Sequence, residues 1–240
     1  MLVPNRKPGG KMSVCDEAPV ACVSPTGTIF QMSVGIRRGT DRFVDRAPGR
    51  RTLHAFSFGA TYDPDWTTFG PMVCHDDHLV ANGLGFESHE HGGLVIVSYV
   101  VSGALAHTDE GGSVTLSPGE VGVFRTGERA THSEVAAAPQ TRFVQVWLTD
   151  PDLGSTSYEV AGSPVRPLPG AELSVVRLGD GESVTIPAAP RVHVYVARGA
   201  LLRSSLAEPL QEGDAFLFTD EPAYELVSGA DTVLLVWTFA

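Results

Sequence analysis

Lysine is absent from the sequence after Lys11, and only three cysteines occur in its 240 residues. The cysteine count is odd, and Cys15 and Cys22 are too far apart for a C-x-x-C site. Neither a disulfide framework nor a cysteine metal site is therefore expected, and we expect the reducing setting of the cytoplasm.

Long apolar runs and helix-forming repeats are also missing. No stretch approaches the roughly 20 apolar residues of a membrane-spanning helix, so no membrane partner is expected. The N-terminal residues lack the apolar core of a signal peptide. Val, Thr and Phe are frequent, and they occur together with 26 Gly and 17 Pro. This composition favours an all-β protein built from many short strands with turns between them.

Positive charge is scarce outside the N-terminal part of the chain. Residues 1–52 hold nine Lys and Arg against four Asp and Glu, whereas the remainder holds eight against 24. The acidic remainder argues against nucleic-acid binding by the main fold. Six arginines lie between Arg37 and Arg51, interleaved with Asp41 and Asp45. We interpret them as partners of acidic groups in their own protein rather than as an arm for nucleic acid.

Strand-like segments recur from about residue 52 at intervals of roughly 8–12 residues, as in a β-sandwich or barrel. A stretch rich in Pro, Asp and Gly at 150–170 interrupts the pattern, which resumes at "ELSVVRL". We expect a linker there, between two β domains. Residues 1–31 have no apolar periodicity and are expected to form a disordered extension.

The two halves of the chain resemble each other. "VSYVVSGALAHTDEGGSVTLSPGEVGVF" aligns with "VHVYVARGALLRSSLAEPLQEGDAFLF" with one two-residue deletion. A tandem duplication of one β-fold explains this match. In the alignment three histidines of the first half are replaced together: His89 by Thr185, His91 by Pro187 and His107 by Arg203. Such a joint loss is expected if these residues serve one ligand that the second copy no longer binds.

Two short motifs set polar side chains two residues apart, His89 with His91 and His132 with Glu134. On a strand, residues i and i+2 point to the same face, so each pair aims at one place. Three neutral imidazoles and one carboxylate suit a divalent first-row metal and leave coordination positions open for substrate or O₂. The alternative is that these four are hydrogen-bonded polar residues in the mouth of a barrel.

The first half resembles the pirin family of the cupin superfamily. The likeness covers about 100 residues in order, and it is carried by "LHAFSFGATYDP", "DDHLVANGLGFESHEH", "YVVSGALAHTDEGGS", "PGEVGVFRTGERATHSE" and "VQVWL". One departure follows the second histidine: the family usually has an acidic residue four positions after it, and this stretch of the chain has Gly92, Gly93 and Val95.

The resemblance implies an all-β bicupin, two tandem jelly-roll-type β-barrels with one metal in the first barrel only. It assigns the metal ligands to His89, His91, His132 and Glu134. The expected domains are an N-terminal metal-binding cupin at 32–149, the linker at 150–170, and a C-terminal cupin-like domain without metal ligands at 171–240. Iron is the expected metal, with manganese, cobalt, nickel, copper or zinc as alternatives.

Two functions are open at this point. Some pirins cleave the flavonol quercetin with O₂, so the first is a dioxygenase acting on a flavonol or another enolisable aromatic, with Glu134 as catalytic base or as ligand alone. Other pirins are nuclear transcription cofactors, so the second is a regulatory protein whose metal state controls binding of a protein partner. A monomer is expected in either case.

The remaining histidines have less definite interpretations. His107 is either a partner of the metal ligands or substrate, or a histidine hydrogen-bonded to Asp109. His54, His75 and His78 are predicted not to be ligands, because His75 and His78 would point to opposite faces of a strand. Asp76 and Asp77 between them suggest a turn. His193 is predicted to be structural.

Overall fold

A computed structural model of the protein describes residues 33–240, so the predicted disorder of residues 1–31 lies outside the described residues. The described chain is all-β, as the sequence predicts, apart from one turn of 3₁₀ helix at Gly39–Asp41. Its strands are β1 (Ser33–Arg37), β2 (Phe43–Ala47), β3 (Arg50–His54), β4 (Met72–Val80), β5 (Gly85–His91), β6 (Leu94–Ser102), β7 (Leu105–Asp109), β8 (Gly112–Leu116), β9 (Val121–Arg125), β10 (Ala130–Ala136), β11 (Thr141–Thr149), β12 (Ser157–Ala161), β13 (Val165–Leu168), β14 (Ala171–Leu178), β15 (Ser183–Ile186), β16 (Arg191–Arg198), β17 (Ala200–Leu201), β18 (Leu210–Gln211), β19 (Ala215–Thr219), β20 (Tyr224–Val227) and β21 (Thr232–Phe239).

Two large antiparallel sheets form the centre of the fold. The first has seven strands in the order β12-β9-β6-β11-β4-β3-β2, and the second has six in the order β1-β19-β16-β21-β14-β13. One apolar cluster joins them, with Val97 and Val146 from the first sheet and Tyr195, Leu235 and Trp237 from the second. Packing one sheet face on another in this way is the usual core of a β-sandwich.

A smaller sheet covers the opposite face of each large one. The four-stranded sheet β5-β10-β7-β8 closes over the first sheet, and their contact buries Val100, Leu105, Leu116 and Phe143. The pairs β15-β20 and β17-β18 do the same for the second sheet. The central strands therefore have apolar neighbours on both faces, which explains why β6 reads "LVIVSYVVS" without alternation.

The duplication is visible in matching backbone contacts. Gly103 and Gly199 both have positive φ, and a Cβ on either would lie within 2.6 Å of a threonine, Thr141 or Thr232. Each threonine hydroxyl is within hydrogen-bond distance of the backbone N–H and C=O of the alanine after the glycine. The repeated "GAL" motif thus forms the same turn in both barrels.

The strands cross the predicted domain limits at two places. β1 pairs with β19 in the second sheet, and β12 pairs with β9 in the first. The segment 150–170 contains β12 and β13, whose short runs are hidden in sequence among Pro, Gly and Asp. The division into domains stays a prediction. Within residues 33–240, no helix combines the length and apolar character that crossing a membrane requires.

Candidate metal centre

Three histidines meet on the inner face of β5 and β10. His89 lies directly opposite His132 in the antiparallel pair. The ring centroids are 4.5 Å apart for His89 and His132, 4.8 Å for His89 and His91, and 5.2 Å for His91 and His132. Nitrogens of the three rings lie within 4.8 Å of one another. Strand parity therefore brings these predicted site residues together.

Glu134 lies beside this triad because it is two residues from His132 on β10, opposite a β-bulge in β5. His132 faces His89, whereas Glu134 faces Phe86, so two residues of β5 oppose the single residue between His132 and Glu134. Glu134 is buried, and its carboxylate groups with His107 and His132 within 4.8 Å. The structure thus places the four predicted residues in two overlapping groups of ligand-type atoms that share His132.

The ring nitrogens are arranged as metal binding requires. The Nε2 atoms of His91 and His132 are buried and have no hydrogen-bond partner among residues 33–240. His89 Nδ1 lies 2.6 Å from the carbonyl oxygen of Glu87 in the bulge. Because only an N–H can satisfy a carbonyl, Nε2 of His89 keeps its lone pair. Three free imidazole nitrogens next to a buried carboxylate fit a divalent transition metal.

A chain of polar contacts orients His132. His107 Nε2 lies 3.3 Å from Oδ2 of Asp109, and His107 Nδ1 lies 3.4 Å from Nδ1 of His132. If His107 donates to Asp109, its Nδ1 accepts from His132, and Nε2 of His132 is left free for a metal. His107 also stacks on Tyr158, with ring centroids 3.9 Å apart. His107 thus contacts both Asp109 and a predicted ligand, and its role at the site stays a prediction.

Glu134 is held by side chains of the large sheet. Gln145 Nε2 donates to both carboxylate oxygens at 2.8 Å, and Ser98 Oγ donates to Oε1 at 3.3 Å. Gln145 is itself fixed, because its Oε1 accepts a hydrogen bond of 2.8 Å from Trp147 Nε1. Burial raises the pKa of Glu134, and the hydrogen bond from Gln145 opposes that rise. These partners fix the carboxylate orientation without neutralising it.

Burial keeps the imidazoles of His91, His107 and His132 neutral at physiological pH. Desolvation, followed by repulsion from His89, lowers the pKa of His91 to about 4. Desolvation and the other three histidines lower the pKa of His132 to about 3. Desolvation also lowers the pKa of His107, against the pull of Asp109. Since the neutral imidazole is the form that binds metal, the site is prepared for a cation at pH 7.

The centre opens into a cavity of about 530 Å³. Aromatic side chains form much of its wall: Phe58, Phe86 and Trp147. Phe58 meets Trp147 edge-to-face at 5.5 Å, and Trp147 contacts His91 at 4.7 Å. A cavity with aromatic walls and a few converging polar groups suits a flat aromatic ligand.

The sequence did not indicate the polar part of this wall. His54, Asp76 and His78 line the cavity. His54 Nδ1 lies 2.8 Å from Oδ1 of Asp76, and His78 Nδ1 lies 2.8 Å from the hydroxyl of Thr52. Neither histidine belongs to a group of converging ligand atoms, and their exclusion as ligands stays a prediction. The alternation of side chains along β4 could have indicated Asp76 and His78, because strand residues two apart point to the same face.

The predicted turn at Asp76 and Asp77 is wrong, because both lie within β4. The strand continues because each buried carboxylate has a partner: Asp76 has His54, and Asp77 binds both Arg142 and Tyr195. His75 points the other way, into the core between the large sheets. Its ring lies 4.8 Å from that of His193, and both rings are fully buried.

Backbone geometry explains the two glycines after His91. A Cβ on Gly92 would lie 2.2 Å from the carbonyl oxygen of Glu128, and Gly93 has a φ of +70°. Gly93 also donates a backbone hydrogen bond to Gly127. This close turn ties the end of β5 to the segment before β10.

Comparison with known proteins gives a consistent result. The pirin family model matches residues 37–148. A Mycobacterium tuberculosis protein named "Putative quercetin 2,3-dioxygenase" is 34% identical over 231 residues, which cover 85% of this chain and 94% of the relative. An Escherichia coli K12 protein named quercetin 2,3-dioxygenase is 27% identical over 207 residues, 77% of this chain and 89% of that one.

The solved structures agree on the fold. The crystal structure of bacterial pirin YhhW from Escherichia coli in complex with nickel(II) has a TM-score of 0.78 at 22% identity, covering 86% of this chain and 99% of that chain. A quercetin 2,3-dioxygenase from Acinetobacter baumannii has a TM-score of 0.67 at 19% identity, covering 88% and 86%. These likenesses support the two-barrel architecture.

Proposed function

The chain belongs to the pirin family, and on that premise we propose that it is a metal-dependent dioxygenase acting on a quercetin-like flavonol or another enolisable aromatic with O₂. One observation carries the proposal. Ligand-type nitrogens of His89, His91 and His132 lie within 4.8 Å of one another, and the buried Glu134 carboxylate lies within the same distance of His132, beside a cavity lined by Phe58, Phe86 and Trp147.

We propose His89, His91, His132 and Glu134 as the ligands of one divalent metal. Iron is our first choice, with manganese, cobalt, nickel, copper and zinc as alternatives, because affinity alone does not select the metal in a cell. A bound metal would offer open positions to the hydroxyl and carbonyl oxygens of the substrate and would stabilise negative charge on them. The nickel(II) in the YhhW crystal structure is a property of that protein and does not identify the metal of this chain.

The residues of this chain have distinct tasks in the reaction. Glu134 accepts the proton of the enolic hydroxyl, and its burial favours this because the protonated carboxyl is the uncharged form. Gln145 and Ser98 hold the carboxylate in place while the proton moves. The rings of Phe58, Phe86 and Trp147 bind the substrate's aromatic faces and exclude water from the electron-rich anion that O₂ attacks.

The experiment compares the wild type with Glu134→Gln, each loaded with iron, manganese, cobalt, nickel or copper. Quercetin is added with and without O₂, and loss of its visible absorbance is followed. We expect O₂-dependent loss in the wild type and a decrease of about 10²–10⁴-fold in the variant. If no metal gives turnover while a partner protein binds only the metal-loaded form, the regulatory function is correct instead.

A further inference from the structure

The six arginines between Arg37 and Arg51 have different partners. Arg37 lies over the aromatic rings of Phe43 and Trp66. Three others lie beside carboxylates, as the sequence predicts: Arg38 with Asp214, Arg42 with Asp77, and Arg50 with Asp45. Arg46 and Arg51 have neither an ion pair nor a hydrogen-bond partner among residues 33–240. The self-pairing interpretation therefore leaves these two guanidinium groups unexplained.

These two arginines face each other. Arg46 on the edge strand β2 is directly opposite Arg51 on β3. Side chains directly opposite in an antiparallel pair lie on the same face, with Cβ atoms about 5 Å apart, and like charges in this position destabilise the pairing. Both side chains are exposed, so they can separate into water, and neither forms an ion pair within residues 33–240. Arg51 also lines a neighbouring cavity that contains Asp77, Glu212 and Asp214.

The row continues across the sheet. Arg51 is opposite Leu79 on β4, and Leu79 is opposite Arg142 on β11. Strands are spaced about 4.8 Å apart, so three arginines and a leucine extend over roughly 14 Å of one sheet face. All four line a cleft of about 1040 Å³. The row is thus one wall of a concave surface and not a set of scattered charges.

The charge of this cleft is opposite to that of the protein. No aspartate or glutamate is among the described residues that line it, whereas the whole chain has a net charge of -11. Arg142 is neutralised at the inner end, where Asp77 accepts from its Nε and Nη2 and Glu212 accepts from its Nη1. The unneutralised positive charge comes from Arg46 and Arg51, with Arg50 also on the wall.

We propose that this cleft binds a small organic oxyanion, a phosphate ester or a carboxylate, between Arg46 and Arg51. Guanidinium groups form bidentate hydrogen bonds with both anions, and one anion between the two would turn repulsion into attraction. Leu79, Ala81 and Pro139 provide apolar contacts for the body of such a ligand.

A small anion fits better than nucleic acid. The cleft is local, and a polyanion extending beyond it would meet the acidic surface of the same protein. Arg46 and Arg51 do not line the metal cavity, although Arg50 lies on the walls of both. Anion binding in the cleft therefore does not depend on the proposed dioxygenase function.

The test is isothermal titration of the full chain with pyrophosphate and with citrate at constant ionic strength. It compares the wild type with the double variant Arg46→Gln/Arg51→Gln. The matched control is Arg191→Gln/Arg198→Gln, which removes the same charge from two exposed arginines on β16 that form no ion pair within residues 33–240. Melting curves and metal content show that each variant is folded.

We expect at least one of the two probes to bind the control variant as tightly as it binds the wild type. We expect the double variant to bind that probe about tenfold more weakly or worse, because removing a charge-assisted hydrogen bond weakens binding by about this factor. Without anions the double variant should melt no lower than the wild type. Preference for pyrophosphate identifies a phosphate ester, and preference for citrate a carboxylate.

Three results would overturn the proposal. The first is wild-type protein that binds neither probe at millimolar concentrations. The second is a double variant that binds as tightly as the control. The third is a single-stranded oligonucleotide that binds the wild type more tightly than either probe and loses affinity in the double variant, which would assign the surface to nucleic acid.

Discussion

His132 lies directly opposite His89 across strands β5 and β10, with their ring centroids 4.5 Å apart. The two residues are far apart in sequence, and the strand pairing alone brings them together. Their side chains emerge on the same face because facing residues in an antiparallel pair share a face. The i, i+2 spacing of His132 and Glu134 on β10 then places Glu134 beside them, opposite the bulge that follows Phe86 on β5.

Replacing one histidine of the triad should abolish stoichiometric metal binding. His132→Ala removes the only imidazole that belongs to both groups of ligand-type atoms found among residues 33–240. We expect the metal content of purified protein to fall from about one per chain to near zero, measured by elemental analysis. His54→Gln, on the wall of the same cavity, should keep its metal. Full metal content in His132→Ala would show that another set of residues binds it.

His107 should act on the metal through His132. Removing the ring by His107→Ala leaves Nδ1 of His132 without its partner at 3.4 Å, so the tautomer and ring orientation of His132 are no longer fixed. We expect metal affinity to fall about 10–100-fold, as for other partners of metal-bound histidines. Competition with a chelator measures this. A variant with unchanged affinity and normal melting would restrict His107 to packing against Tyr158.

The metal-free protein should lose stability as the pH falls below about 6.5. Burial lowers the pKa of His78 to about 4 and that of His193 to about 3, well below the value in the unfolded chain. Between about pH 6.5 and these lowered pKa values, the unfolded chain binds protons that the folded protein does not. Each of these two histidines should therefore reduce the free energy of unfolding by about 1.4 kcal/mol per pH unit.

Urea denaturation at several pH values between 4 and 7 measures this slope. His193→Phe should make the curve shallower, because it removes one of the titrating groups. A free energy of unfolding that stays constant or increases as the pH falls would contradict the burial of neutral imidazoles.

Gly85 should be irreplaceable at the start of β5. A Cβ there would lie 2.0 Å from the carbonyl oxygen of Glu134, so Gly85→Ala must push β5 and β10 apart. We expect a loss of about 1–3 kcal/mol in the free energy of unfolding and a lower metal content. The control is Gly162→Ala, where a Cβ has nothing within 4 Å and the effect should stay within about 0.5 kcal/mol. Equal stability of the two variants would mean that the pairing tolerates the added methyl group.

Much of the candidate site could be predicted because it depends on strand parity. The i, i+2 spacing of His89 with His91 and of His132 with Glu134 determines which side chains share a face. The bulge could not be predicted, since "GFESHEH" contains no Gly or Pro at the bulged residues Glu87 and Ser88. The sequence also suggested a turn at Asp76 and Asp77, because it does not show that distant residues such as Arg142 would satisfy buried carboxylates.

The fold class was predictable, but the pairing of strands between distant parts of the chain was not. Alternating short strands and the repeated "GAL" motif indicate two β-barrels. The pairing of β1 with β19 joins segments about 180 residues apart, and nothing in the local pattern of "SVGIR" specifies a partner at that distance.

Anomalous diffraction from crystals of the metal-loaded protein would locate the metal and its ligands in one experiment. We predict one peak per chain, about 2.0–2.3 Å from a nitrogen of each of His89, His91 and His132 and from a carboxylate oxygen of Glu134. A metal bound elsewhere, or one held without these four side chains, would contradict the proposed centre.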